Sequence, residues 1–245
     1  MEEVDREQSK ETTPQSQVGI YPDLLSTGAS VFDRLLRGGY EKDIVTTVYG
    51  PSGAGKTTIC LLAALAVVRT GKKVLFVDTE GGFSPIRLHQ LAEGDSSLLE
   101  KIFVLKPTTF TDQIKSIEKL RAMISDEIGL IIIDTISMLY RIEMGKGEIK
   151  NVNSELGFQI AQLTEIARKK EIPILVTNQV YSDFDVPDGV KMVGGDLLKY
   201  GSKCLLELQK YKSVRRVLVR KHRFLPENIG VNFKIVETGL VEYDG

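Results

Sequence analysis

The sequence predicts an α/β domain, with a parallel central sheet flanked by helices and antiparallel strands added by the C-terminal segment. Three observations carry this. Short β-branched or apolar runs alternate with longer helical segments between Ile44 and Thr177. One of them, Leu130–Ile133, is apolar at every position, as a strand covered on both faces is. After Lys203 the runs "CLLELQ", "VRRVLVRK" and "GVNFKIVE" follow one another with only turn-like breaks, so antiparallel pairing at the sheet edge is expected.

Each element has a local reason. Residues 1 to about 18 are polar and poor in apolar side chains; a disordered tail is expected there, ahead of one domain over 19–245. Ile44–Tyr49 is a β-branched strand that runs into a glycine-rich loop. Lys56–Arg69 is mostly apolar and reads as a buried helix. Lys73–Asp78 is a strand. Pro85–Ala92 suits a helix, with Ser84 as its N-cap and Pro85 in the first turn. Ile102–Leu105 is a short strand. Thr111–Asp126 places Ile114, Ile117, Leu120 and Ile124 at helical spacing. Asn153–Lys170 is a further helix and Ile174–Thr177 a further central strand. No repeat at solenoid spacing is present.

The bulk numbers set limits. A chain of 245 residues that is 42% apolar suffices for one sizeable core. No apolar run reaches the ~20 residues of a membrane span, and the polar start is unlike a secretory signal. Two cysteines far apart and two histidines argue against a disulfide framework or a zinc site, and point to a reducing cytosol. The net charge of −1 hides an asymmetry. Residues 1–17 carry Glu2, Glu3, Asp5, Glu7 and Glu11 against Arg6 and Lys10, a net −3. Residues 199–234 carry ten Lys/Arg against Glu207 and Glu227, a net +8. That basic third can attract a polyanion, or can simply be solvated strand faces.

The chemistry starts at Gly50. Gly50-Pro51-Ser52-Gly53-Ala54-Gly55-Lys56-Thr57 fits G-x-x-x-x-G-K-[ST] between a strand and a helix. Glycines let backbone N–H groups wrap phosphates, and the helix N-terminus adds positive potential. Lys56 is expected on the β- and γ-phosphates and Thr57 on Mg²⁺. With Thr58, residues 50–58 make the expected ATP-binding set. Asp134 closes the apolar run "GLIIIDT", the Walker B arrangement, as the carboxylate behind Mg²⁺; capping the next helix is the plainer role.

The stretch "FVDTEGGF" poses a harder question, because Asp78 and Glu80 both end a strand there. A ribose-binding acid of a dinucleotide fold does not fit, since the glycines are not G-x-G-x-x-G. Many P-loop ATPases keep their acid next to the Walker B aspartate, but Thr135 occupies that place. Glu80, at the end of a neighbouring strand, remains as the candidate to orient or deprotonate an attacking water; capping at Ser84 or plain exposure is the alternative. Asn178 and Gln179 end another buried strand. An amide there can sense a γ-phosphate, or merely satisfy strand-end backbone.

In their order along the chain, "STGASVFDRLLRGGYEKDIVTTVYGPSGAGKTT", "VDTEGGFSPIRLHQLA", "IIIDTISMLYRIE", "ARKKEIPILVTNQVYSDFD", "VGGDLLKYGSKCLLEL" and "RKHRFLPE" resemble the RecA/RadA recombinase family, in particular the short archaeal paralogues of the RadA recombinase. The resemblance covers nearly everything past residue 25. It implies a RecA-like P-loop ATPase core and a DNA-binding accessory role in recombination and repair. It further implies a weak, DNA-modulated ATPase with Glu80, Lys56 and Gln179 catalytic, and Thr57 and Asp134 at the metal. The partners it implies are single-stranded DNA, a RadA-type recombinase and further copies of the chain. Arg141 to Asn153 would be the first DNA-facing loop and Val180 to Gly194 the second.

The chain departs from the family in three places. No room precedes residue 25 for the helix-hairpin-helix domain and linking peptide of RadA, so filament formation by this chain alone is not expected. Arg37 stands in "LRGGY" where the family has three glycines. The second loop carries Asp183, Asp185 and Asp188 against Lys191, a poor phosphate surface. Arg220, Lys221 and Arg223, beside Phe224, are then the alternative polyanion surface, unless they are a solvated edge. Two other functions fit the same motifs: a signalling ATPase or autokinase of the circadian-clock type, and an adaptor for which ATP is a structural ligand.

Overall fold

The computed structural model describes residues 23–147, 149–183 and 189–244. The expected tail at residues 1–18 lies outside them, as do Asp185, Asp188 and the side chain of Asp183.

A small ribbon comes first. β1 (Leu24–Leu25) pairs antiparallel with β2 (Tyr40–Glu41), and α1 (Ser30–Leu35) lies between them in sequence. The turn into β2 needs its glycine: a Cβ on Gly39 would fall 1.9 Å from the Leu25 carbonyl oxygen. Arg37, where the family reads glycine, takes a left-handed φ of 55°.

The main elements follow as β3 (Val45–Tyr49), α2 (Lys56–Arg69), β4 (Lys73–Asp78), α3 (Pro85–Leu91), β5 (Ile102–Leu105), α4 (Phe110–Met123) and β6 (Ile128–Asp134). Next come α5 (Met138–Met144), α6 (Ile149–Lys170), β7 (Ile174–Asn178), β8 (Val180–Asp183), β9 (Gly189–Met192) and α7 (Gly195–Gly201). The C-terminal strands are β10 (Cys204–Tyr211), β11 (Val214–Lys221), β12 (Gly230–Val236) and β13 (Gly239–Glu242). Ser84 caps α3 as expected, its hydroxyl accepting from the Arg87 N–H at 3.2 Å.

Among the described residues the main sheet has nine strands, in the order β13-β12-β11-β10-β3-β7-β6-β4-β5. The strands from β10 to β5 in that order pair parallel, and β11, β12 and β13 are added antiparallel. One expectation is corrected here. "CLLELQ", read as antiparallel, is β10: it pairs antiparallel with β11 as expected, but it joins the core by running parallel to β3, with Cys204 opposite Thr46. The parallel pairing needs a crossover, and α7 supplies its helix.

A second correction concerns Arg141 to Asn153. Most of that stretch is helix: α5 runs to Met144 and α6 already begins at Ile149, not Asn153. Both unforeseen helices are short and lack a side-chain N-cap. Packing holds them instead, through buried Leu139 and Tyr140 in α5 and buried Leu198 in α7.

The core has two layers, one on each face of the sheet. Val74, Phe76, Leu130, Ile132 and Leu175 pack with α1, α2 and α3. Leu75, Val77, Ile131, Ile133 and Val176 pack with α4, α5, α6 and α7. Alternate side chains of each strand thus enter opposite layers. Val217, Val219 and Phe233 of the antiparallel extension join the first layer.

Candidate functional site

The site lies at the C-terminal ends of β3, β4, β6 and β7, where open α/β sheets place ligands. β3 delivers the chain to Gly50, and the loop turns back into α2 through Gly55, which sits at its N-cap with φ 106°. Two glycines there answer to close backbone approach. A Cβ on Gly50 would meet the Leu208 carbonyl oxygen at 2.5 Å, and one on Gly55 would meet Ile235 Cδ1 at 2.7 Å. Lys56 Nζ donates to the carbonyl oxygens of Gly50 at 2.9 Å and Pro51 at 3.0 Å, so its ammonium spans the loop.

Three strand ends converge on this loop. Asp134, at the end of β6, accepts from Thr57 Oγ1 on Oδ2 at 2.7 Å and from Thr177 Oγ1 on Oδ1. The peptide bond after it, to Thr135, is cis. Glu80 lies beyond the end of β4. Its Oε1 accepts from Thr135 Oγ1 at 2.8 Å and from Gln179 Nε2 at 2.7 Å. Thr79 and Thr135 lock the two strand ends by reciprocal bonds: Thr79 Oγ1 donates to the Thr135 carbonyl at 2.6 Å and accepts from its N–H at 2.9 Å.

The question raised by "DTEGGF" resolves into a division of labour. Asp78 accepts from the N–H groups of Gly82 at 3.0 Å and Phe83 at 3.1 Å, and so shapes the loop. Glu80 faces the cleft, and Ser84 caps α3 by its own hydroxyl. At Gly82 a side chain would crowd the Thr57 hydroxyl. A Cβ there would lie 3.3 Å from Thr57 Oγ1 and 3.9 Å from Asp134 Oδ2.

The cleft measures about 530 Å³ and is lined by Gly50, Ser52, Gly53, Gly55, Lys56, Thr57, Thr58, Glu80, Asp134 and Gln179 among others. Two of the expected binding residues do not line it. Ala54 is buried in the first core layer with its N–H bonded to the Pro51 carbonyl, and Pro51 contributes only through that oxygen. Asn178 also turns away, donating from Nδ2 to the Val193 carbonyl at 3.0 Å.

The electrostatics favour a charged guest. Burial pushes the Asp134 carboxyl above its ordinary range, and the hydroxyls of Thr177 and Thr57 pull against that. Burial likewise lowers the Lys56 ammonium, against the attraction of Glu80 and Asp134. A cation beside Asp134 and an anion beside Lys56 would each relieve an unfavourable burial of charge. Among the described residues no group of three or more His, Cys, Asp or Glu is placed to hold a metal. A hydroxyl–carboxylate pair suits Mg²⁺ completed by phosphate oxygens and water. The glycine cradle and this oxygen donor pair therefore fit a magnesium–triphosphate.

Several contributors escaped sequence reasoning: Thr135, Thr177, Gly82, Arg141 and Ile235. The signal for the first three lay beside residues already singled out, as Thr135 follows Asp134 and Thr177 precedes Asn178. Ile235 lines the cleft from β12, and no local pattern marks it.

The basic strand is tied to the rest of the chain. Arg220 is engaged by Glu207 at 2.7 Å and by Asn228. Lys221 donates to the carbonyls of Lys199 and Ser202, and Arg223 forms a two-pronged pair with Asp43 at 2.8 and 3.0 Å. All three cations thus have partners within the chain. The β10–β11 hairpin also reaches the glycine-rich loop, with Arg215 Nη2 donating to the Gly53 carbonyl at 3.3 Å.

The Rad51 family model matches residues 23–243. The chain is 41% identical over 213 residues to the DNA repair and recombination protein RadB of Methanococcus maripaludis strain C5, covering 86% of this chain and 96% of that protein. It is 37% identical over 222 residues to the protein so named in Methanoculleus marisnigri, covering 89% and 97%. A solved structure described as the RadB recombinase superposes with a TM-score of 0.77 at 36% identity, covering 90% of this chain and all of that one.

Proposed function

The chain belongs to the Rad51 family of DNA repair and recombination proteins, in its RadB branch, and on that premise we propose that it is an ATP- and DNA-binding accessory protein with weak ATPase activity that regulates a RadA-type recombinase. The observation that carries the nucleotide part is the convergence of Lys56, Thr57, Asp134, Glu80 and Gln179 from separate segments on one cleft.

In this reading the loop over residues 50–58 binds the phosphates, Lys56 neutralises them, and Thr57 with Asp134 holds Mg²⁺. The ion would screen the phosphate charge. Glu80 has one oxygen tied by Thr135 and Gln179, which leaves Oε2 to orient or deprotonate a water. Gln179 links that carboxylate to the β8–β9 hairpin, since it precedes β8 and its carbonyl accepts from the Val193 N–H at 3.1 Å. Nucleotide state and the hairpin would then be coupled.

The nucleotide part is tested by titrating a fluorescent ATP analogue with Mg²⁺. Lys56→Ala is expected to weaken binding by about ten- to a hundred-fold, the scale of a lost charge-assisted phosphate contact. Equal affinity in the variant would remove the cleft from the argument. We propose that single-stranded DNA is bound through its phosphates by basic side chains of this chain. Its affinity is expected to fall steeply with salt, by a log–log slope of about −0.7 per phosphate contact. A flat salt profile in an oligonucleotide titration would reject phosphate contact as the source of binding. Recombinase regulation is checked by co-precipitation with a RadA recombinase, with and without ATP and single-stranded DNA.

Among the described residues no helix is long and apolar enough to cross a membrane.

A further inference from the structure

A pair of amides lies inside the otherwise apolar layer that α4, α5, α6 and α7 form on the sheet. Gln113 of α4 and Gln159 of α6 have no exposed surface. They stand on the helix faces that carry Phe110, Ile117, Leu156 and Leu163 into that layer. Gln113 Nε2 donates to the Ile136 carbonyl at 3.1 Å and to Gln159 Oε1 at 2.9 Å. A carbonyl only accepts, so this chain of bonds fixes the orientation of both amides. Gln113 Oε1 and Gln159 Nε2 are then buried with no hydrogen-bond partner among the described residues. Each such atom costs free energy, and two apolar side chains of similar size would avoid that cost. Stability of the layer alone does not account for the pair.

The pair holds the turn between β6 and α5. Ile136 is fully buried, its N–H donates to the Thr177 carbonyl at 3.1 Å, and its own carbonyl is the one that Gln113 engages. The residues on either side of it reach the cleft. Thr135 Oγ1 donates to Glu80 Oε1 at 2.8 Å, and Ser137 Oγ accepts from the Gln179 N–H at 3.1 Å. Gln179 Nε2 closes on the same Glu80 oxygen at 2.7 Å. Ile136 is thus fixed from β7 through its N–H and from α4 and α6 through its carbonyl. Both bonds to Glu80 Oε1 depend on residues that adjoin or touch this turn.

We propose that Gln113, braced by Gln159, is a positioning residue for the Glu80 carboxylate. It acts through the Ile136 carbonyl and the Thr135 hydroxyl, and from the core it touches neither nucleotide nor water. The proposal rests on the hydrolysis reading above. Phosphate binding in that reading falls to Lys56 and the loop over residues 50–58, which leave from β3 and α2. The pair should therefore govern turnover and leave nucleotide affinity alone.

The test compares wild type with two variants. Gln113→Met keeps length and apolar packing but removes the donor. Gln159→Met keeps the bond to Ile136 and removes the brace. Phosphate release at saturating magnesium–ATP, affinity for a fluorescent non-hydrolysable analogue and the unfolding midpoint are measured for each. For Gln113→Met, turnover is expected to fall about ten- to a hundredfold, the scale of an ångström-sized misplacement, while affinity stays within about twofold. Gln159→Met should show the same split with a smaller loss. Made in a Thr135→Val background, Gln113→Met should cost less than about a further threefold, because the link it acts through is already cut. Unchanged turnover overturns the proposal. Proportionate losses of affinity and turnover also overturn it and leave the pair a purely structural role, as does a full further loss in Thr135→Val. If Gln113→Met does not fold, Gln159→Met carries the test, and the same results overturn the proposal. A wild type that binds the analogue but releases no phosphate sinks the hydrolysis reading, and this proposal with it; an active wild type with unaffected variants sinks the proposal alone.

Discussion

Glu80→Gln is expected to bind magnesium–ATP with near wild-type affinity and to lose turnover by about 10²–10⁴-fold, the range for removal of a positioned acid–base group. The substitution isolates one property. Oε1 of Glu80 only accepts, from Thr135 Oγ1 and Gln179 Nε2, and an amide oxygen can accept both bonds in its place. The geometry of the strand ends should therefore survive, while the basic second oxygen becomes an NH₂ group. Phosphate release measured beside nucleotide binding checks this. Unchanged turnover would exclude Glu80 as the water-activating group. A wild type that binds nucleotide without turnover would favour the adaptor reading, in which the nucleotide is a structural ligand.

Phe233→Ala is expected to destabilise the protein by about 3–5 kcal/mol, the cost of emptying a well-packed aromatic site. Phe233 is fully buried in β12, and its ring meets Phe32 of α1 edge to face, with centroids 5.2 Å apart and planes at 87°. It belongs to the core layer that α1 and α2 form on the sheet. A contact made between the extension and the opening helix should lower one shared unfolding transition. Denaturant unfolding followed by two probes measures it. A separate early transition of the C-terminal strands, or a cost below about 1 kcal/mol, would show that the extension is stabilised independently.

Much of the fold was legible because the parallel core obeys strong local rules. The run Leu130–Ile133 announces a strand buried on both faces, and the structure gives each of these residues no exposed surface. Ser84 and Pro85 mark a helix start, and it begins there. α5 and α7 escaped because seven-residue helices carry too little periodicity to be seen and too little intrinsic stability to form without packing. The direction of β10 escaped with α7, since a strand's pairing partner is not written in its own residues.

The site divides in the same way. Lys56, Thr57, Asp134, Glu80 and Gln179 could be named from the sequence because each ends an apolar strand or opens a helix, where the chain must present polar groups to solvent or to a ligand. The sequence by itself determined which chemical groups stand at the strand termini, since backbone approach and apolar patterning are local constraints. Only the tertiary structure decided which of them meet. Strand order brought Thr135 and Gln179 onto one oxygen of Glu80, and turned Asp78 to the loop backbone. It also engaged Arg220, Lys221 and Arg223 in the fold, and carried Ile235 and Arg141 to the cleft. Such contacts join residues far apart in the chain, and their distances depend on how the whole sheet twists and packs.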